Sequence, residues 1–208
     1  MLWFTSDWHF GHQRILELGD GRPFKSLSHM HETIRGNVFR NVSPTDTLYI
    51  LGDGAMGSIE HTINLYADLP GEKEFRPGNH DKIFEENSKA YIEKFLPLYI
   101  NVGLNIGPAI DEIYIDVDGE PVKVLISHFP YLRSSSERHA KHHPINNGLP
   151  LIHGHTHSRG VRSDLPNEYH VGVDAHNFAP VPETEIVNWL RELKNTDKSS
   201  KRRKRNGR

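Results

Sequence analysis

The segment "EKEFRPGNHDK", residues 72–82, starts as a short strand and stops at Pro77-Gly78. An amide, an imidazole and a carboxylate then follow in consecutive positions, Asn79, His80 and Asp81. Adjacent residues share no face of a strand or helix, so these three are not a surface stripe. They sit at a turn just past a strand end. Asp81 has two readings open, orienting His80 or capping a helix through "KIFEENSKAYIEKF", residues 82–95.

The same arrangement recurs outward along the chain. "LWF" leads into "SDWHFGH" and delivers Asp7 and His9, while "TLYILGD" delivers Asp53 after a glycine. "VKVLISHFP" delivers His128, and "LPLIHGHTHS" delivers His155 and His157. Each site follows a predicted strand and is flanked by Gly, Ser or Pro, and in layered α/β proteins that edge is where sites form. Residues i and i+2 point the same way in an extended run, so Asp7 with His9, and His155 with His157, can each grip one centre.

Singly, each feature has an ordinary reading. Asp-x-His recurs by chance, Gly-Asp is a common turn, and a lone strand-end histidine is usually packed. Five such ends in one chain favour metal ligation. Asp7, His9, Asp53, Asn79, His128, His155 and His157 are too many for one tetrahedral ion but suit two ions sharing a carboxylate, with Asp53 as the natural bridge.

Composition agrees. The 208 residues are 36% hydrophobic and 25% charged with net charge −2, as expected of one soluble globular domain. The chain has 15 histidines and no cysteine, which excludes disulfides and thiolate ligands and leaves nitrogen and oxygen donors. No apolar run reaches membrane-spanning length and no basic leader opens the chain, so a cytoplasmic protein without a membrane partner is expected.

Between these sites the pattern alternates. Helices are expected over "HQRILEL", "SLSHMHETIRGNVFRNV", "SIEHTINLYADL" and "ETEIVNWLREL", and a hairpin over "IYIDVDGEPVKVLI" with its turn at Asp118-Gly119. "LPLIHG" and "YHVGV" read as further strands. Residues 1–195 form one predicted domain. Residues 196–208, which include "KRRKR", read as a disordered basic tail able to make weak nucleic-acid contacts.

In order, "DWH", "GD", "GNHD", "SHFP" and "GHTH" resemble the motif series of the calcineurin-like metallophosphoesterase superfamily. "TSDWHFGHQRI", "RPF" and "VGVDAHNFAPV" are similar to its small bacterial and phage members. The resemblance implies a four-layer α/β/β/α sandwich of two mixed sheets. It implies one ion on Asp7, His9, Asp53 and His157, and another on Asp53, Asn79, His128 and His155. Mn²⁺ is the favoured metal, and Fe, Zn²⁺ or Ni²⁺ would suit the same donors. His80 is the implied catalytic residue, a general acid or charge stabiliser, with attack by a hydroxide bridging the two ions.

The implied enzyme is a phosphodiesterase hydrolysing small phosphodiesters, with 2′,3′-cyclic nucleotides the favoured substrate. A nuclease of the same superfamily is the alternative, and a catalytically silent scaffold is the alternative of another class. "GDGAMG" lacks the Asp-Arg-Gly of the superfamily's protein phosphatases. His12, Arg133 and Arg138 are candidate substrate contacts, the last two in "YLRSSSERHAKHHP", residues 131–144.

Overall fold

The computed structural model describes residues 1–18, 21–161, 163 and 165–206, with side chains described up to Thr196. Two mixed sheets form a layered α/β sandwich. The first has the order β4-β3-β2-β1-β9, built from β1 (Leu2–Thr5), β2 (Thr47–Ile50), β3 (Glu72–Phe75), β4 (Leu104–Ile106) and β9 (Val181–Pro182). Strands β1 to β4 are parallel, and β9 adds an antiparallel edge. The second sheet has the order β5-β6-β7-β8, from β5 (Ile110–Val117), β6 (Glu120–Ser127), β7 (Leu151–His153) and β8 (Glu168–His170).

Side-chain alternation explains the layering. Trp3, Leu48, Ile50 and Phe75 face a core shared with Met30, Ile34 and Val38 of α1 (Leu27–Asn41) and with Phe95 and Tyr99 of α3 (Lys89–Asn101). On the opposite face, Phe4 joins Ile115, Val124, Ile126 and Ile152 of the second sheet. Ile186, Trp189 and Leu190 of α4 (Glu183–Asn206) complete that cluster. A smaller cluster of Leu125, Leu151 and Tyr131 lies on the far side of β6 and β7. The hairpin turns at Asp118-Gly119, both left-handed as a two-residue primed turn requires.

The expected helices are shorter in places. "HQRILEL" makes only a 3₁₀ turn, Gln13–Leu16. Over "SIEHTINLYADL" the chain forms α2 (Ile59–Thr62) followed by a 3₁₀ turn, Ile63–Tyr66, with Ile59, Ile63 and Tyr66 buried and Leu65 partly buried. Asp81 does not cap a helix. Helix α3 begins eight residues later, at Lys89, with the Ser88 side chain accepting from Tyr91 N–H, and it continues through Pro97 to Asn101. Strands β4 and β9 lay outside the expected pattern because three- and two-residue strands carry no period. Beyond Thr196, the disordered tail expected over residues 196–208 falls where side chains lie outside the described residues. Among the described residues, no helix is long and apolar enough to cross a membrane.

Candidate metal centre

The C-terminal ends of β1, β2 and β3 meet those of β6 and β7, and the turns after them hold all seven predicted donors. The loop after β1 runs beside the loop after β2 through Asp7 N–H to Gly52 carbonyl (3.1 Å), His9 N–H to Asp53 carbonyl (2.9 Å) and Phe10 N–H to Gly54 carbonyl (3.0 Å). Across the sandwich, His155 N–H donates to both Asp7 carboxylate oxygens at 3.2 and 2.9 Å. His80 N–H donates to Asp53 Oδ1 at 2.9 Å.

These turns are tight enough to force unusual backbone. Asp7, His9, Asp53, His155 and His157 have φ of 60°, 51°, 52°, 72° and 50°. Left-handed backbone costs a non-glycine residue on the order of 1–2 kcal/mol, so the surrounding bonds must hold each one in place. Asp81 does much of this. Its buried carboxylate accepts from the backbone N–H groups of Asp53 (2.8 Å), Gly54 (3.1 Å) and Gly78 (2.8 Å), fastening the β2 turn to the β3 turn. Neither of its anticipated roles is found. Gly78 closes the same junction, where an added Cβ would lie 2.4 Å from Asp53 Oδ1.

The donor atoms converge with matching polarity. Asp53 Oδ2 stands 3.5 Å from both His9 Nε2 and His128 Nε2. His9 Nε2 is 3.1 Å from His157 Nε2, and His128 Nε2 is 3.1 Å from Asn79 Oδ1 and 3.2 Å from His155 Nδ1. His128 Nδ1 lies 2.9 Å from the Leu51 carbonyl, which can only accept, so that nitrogen carries a proton. In a neutral ring Nε2 is then a bare lone pair aimed at a carboxylate and an amide oxygen. His157 repeats the pattern, its Nδ1 donating to Asp174 Oδ2 at 2.9 Å.

Burial, then the charge of His157, holds His9 well below the usual imidazole range. Burial, then His128, takes His155 down to about 3, so both rings are neutral ligands in waiting. Asp7 and Asp53 are 0% and 2% exposed, and the groups that face their carboxylates as ion-pair partners are histidines. Burial pushes Asp7 up, but His157, His128 and His9 outweigh it and keep the carboxyl ionised. Buried anions facing lone pairs are what a divalent cation would satisfy. Two groups have donor atoms all within 4.8 Å of one another, Asp7 with His9 and His157, and Asp7 with Asp53 and His128.

Two supporting residues carried no recognisable signal in the sequence. Asp174 accepts from His157 Nδ1–H at 2.9 Å and from both Nε and Nη2 of Arg22 at 2.8 Å. Arg22 also donates to the Asp7 and Trp8 carbonyls at 2.6 and 3.1 Å. Burial alone would raise Asp174, yet its bonds to His157 and Arg22 hold it below the usual carboxylate range. Burial lowers His157, and its bond to Asp174 and the charge of Asp7 more than reverse that. Both residues lie in phrases the resemblance singled out, "RPF" and "VGVDAHNFAPV", but neither phrase spells a ligand motif.

A cleft of about 670 Å³ opens beside the centre, with His9, His12, His80 and His157 on its wall together with Ile15, Leu18, Thr156 and Arg159. His80 is 39% exposed there, with Nε2 3.9 Å from Asp53 Oδ2. Arg133 and Arg138 are not brought to this cleft. Arg133 pairs with buried Glu168, and Arg138 is exposed elsewhere. Their segment instead docks on residues 85–86, through His142 Nδ1 to Glu85 (2.6 Å) and His139 Nδ1 to Glu86 (2.7 Å).

No family model matches the chain. The chain is 35% identical over 184 residues to the Gene 66 protein of Mycobacterium phage L5, covering 83% of this chain and 86% of that protein. It is 34% identical over 201 residues to the Gene 66 protein of Mycobacterium phage D29, covering 92% and 98%. A protein of unknown function from Aquifex aeolicus, AQ665, is similar in fold, with TM-score 0.65 and 24% identity over 89% of this chain and 97% of that one.

Asp81 is pushed up to about 7, first by burial and then by the charge of Asp53. A carboxyl whose folded pKa is raised stabilises the fold fully below the ordinary carboxylate range and loses that contribution as pH rises to about 7. In metal-free protein, Asp81→Asn should therefore flatten the fall in stability over that window, read as urea midpoints against pH; an unchanged slope contradicts this placement. Asp174→Ala should weaken Mn²⁺ or Zn²⁺ binding by about 10–100-fold. Chelator competition measures it, and unaltered affinity would show that His157 needs no such support.

Proposed function

The chain belongs to the family of the Gene 66 proteins of Mycobacterium phages L5 and D29, and we propose that it is a dinuclear metallophosphoesterase of the calcineurin-like superfamily. The observation that carries this reading is Asp53 Oδ2 equidistant from His9 Nε2 and His128 Nε2, 3.5 Å from each, with His157 beside His9 and with Asn79 and His155 beside His128. Asp7, His9, Asp53 and His157 would hold one divalent ion, and Asp53, Asn79, His128 and His155 the other. Ions bound there would supply an activated water and positive charge for phosphoryl oxygens.

The chain's own residues divide the remaining work. The cleft beside the donors admits an ester and leaves His80 facing it, half-exposed. His80 would protonate a leaving oxygen, and its backbone is held by Asp53. Asp174 and Arg22 hold His157 and the Asp7 turn against reorganisation. All-nitrogen-and-oxygen donors with one amide favour Mn²⁺. The favoured substrates are small phosphodiesters, 2′,3′-cyclic nucleotides first, since the cleft is open and of small-ligand size.

Hydrolysis of 2′,3′-cAMP, 3′,5′-cAMP and bis-p-nitrophenyl phosphate with added Mn²⁺ tests this. The expected result is metal-dependent turnover favouring the 2′,3′ isomer, abolished by EDTA. His80→Ala should lower kcat on the cyclic diester by about a hundredfold. Turnover of the aryl diester alone would redirect the substrate toward oligonucleotides, and activity indifferent to EDTA would overturn the metal chemistry.

A further inference from the structure

His12 follows from the protonation of its neighbour. His9 directs Nε2 into the donor cluster, 3.1 Å from His157 Nε2 and 3.5 Å from Asp53 Oδ2. A ring that meets a cation through Nε2 keeps its proton on Nδ1. Two acceptors lie beside that proton, Met56 Sδ at 3.2 Å and His12 Nδ1 at 3.3 Å. Thioether sulfur is a weak acceptor and an imidazole lone pair a stronger one. His12 therefore accepts at Nδ1, and a neutral ring must then carry its own proton on Nε2, on the side away from His9.

His12 shares the wall of the cleft with His80, the two rings 6.3 Å apart between centroids. The turn that carries His12 is held from two directions. His12 N–H donates to the His9 carbonyl at 3.0 Å, and Gly11 N–H donates to His31 Nε2 on α1, also at 3.0 Å. Gly11 is left-handed, φ +82°, and an added Cβ would sit 2.5 Å from the Met56 carbonyl oxygen. The His12 backbone is thus fixed by packing independent of any ligand.

We propose that His12 is a neutral hydrogen-bond donor, through Nε2–H, to a non-bridging oxygen of the bound phosphoryl group. This rests on the phosphoesterase reading of the cleft. Phosphoryl oxygens only accept, and their charge grows as the ester is attacked, so a fixed donor binds the transition state more strongly than the ground state. His12 transfers no proton in this role, which separates it from His80.

The test uses full-length protein loaded with Zn²⁺, which is diamagnetic, and inorganic phosphate as the probe. Long-range ¹H–¹⁵N correlation of the wild-type histidines should find His12 bare at Nδ1 and protonated at Nε2. His12→Phe keeps a ring but no donor and should weaken phosphate binding roughly tenfold by calorimetry. His12→Gln places an amide N–H near the lost Nε2–H and should restore most of it. The opposite tautomer overturns the proposal, as does equal phosphate affinity in the wild type and both variants, or an equal loss in Phe and Gln. The predicted tautomer and phosphate pattern in a protein that turns over no diester would support the His12 donor while removing the phosphodiesterase reading.

Discussion

Acceptors are brought against acceptors where the two sheets meet, and the local architecture answers to that constraint. Two buried carboxylates, Asp7 and Asp53, face imidazole nitrogens, among them the bare Nε2 of His128, whose proton is committed to the Leu51 carbonyl. Left alone, such a cluster repels itself and penalises folding. A rigid frame keeps it assembled. The turns donate their own N–H groups to the carboxylates, Asp81 joins the β2 and β3 turns, and Arg22 clamps the β1 turn to Asp174.

That frame accounts for the concentration of backbone strain. Five of the nine non-glycine residues with positive φ among the described residues are predicted donors. A strand that ends in a left-handed residue turns at once, so its side chain can reach the gap between the sheets and its N–H can bond a neighbouring turn. The conformation is costly and persists because several bonds over-determine it. The site is therefore preorganised by the backbone more than by side-chain packing.

Much of this was legible in the sequence because it is encoded locally. A strand followed at once by Gly-Asp, Gly-Asn-His or His-x-His declares both its end and its donors, and the seven predicted donors do come together. The Asp118-Gly119 hairpin and the apolar faces of α1 and α4 were readable for the same reason, since their periods are intrinsic. What failed depended on contacts distant in sequence. Residues 13–16 have helical spacing but stop after one 3₁₀ turn beside the cleft. Asp81 reads as a helix cap or a partner of His80 because two of its three backbone partners, residues 53 and 54, lie 28 and 27 positions away. Asp174 and Arg22 meet across 152 residues, and Arg133 is taken by Glu168 across 35. Ion pairs of that separation leave no periodic trace.

The most direct test of the central claim is anomalous diffraction from crystals grown with Mn²⁺. Two anomalous peaks flanking Asp53 are predicted, one in contact with Asp7, His9 and His157 and the other with Asn79, His128 and His155. A cluster without metal density, or Mn²⁺ ordered only elsewhere on the molecule, would contradict it.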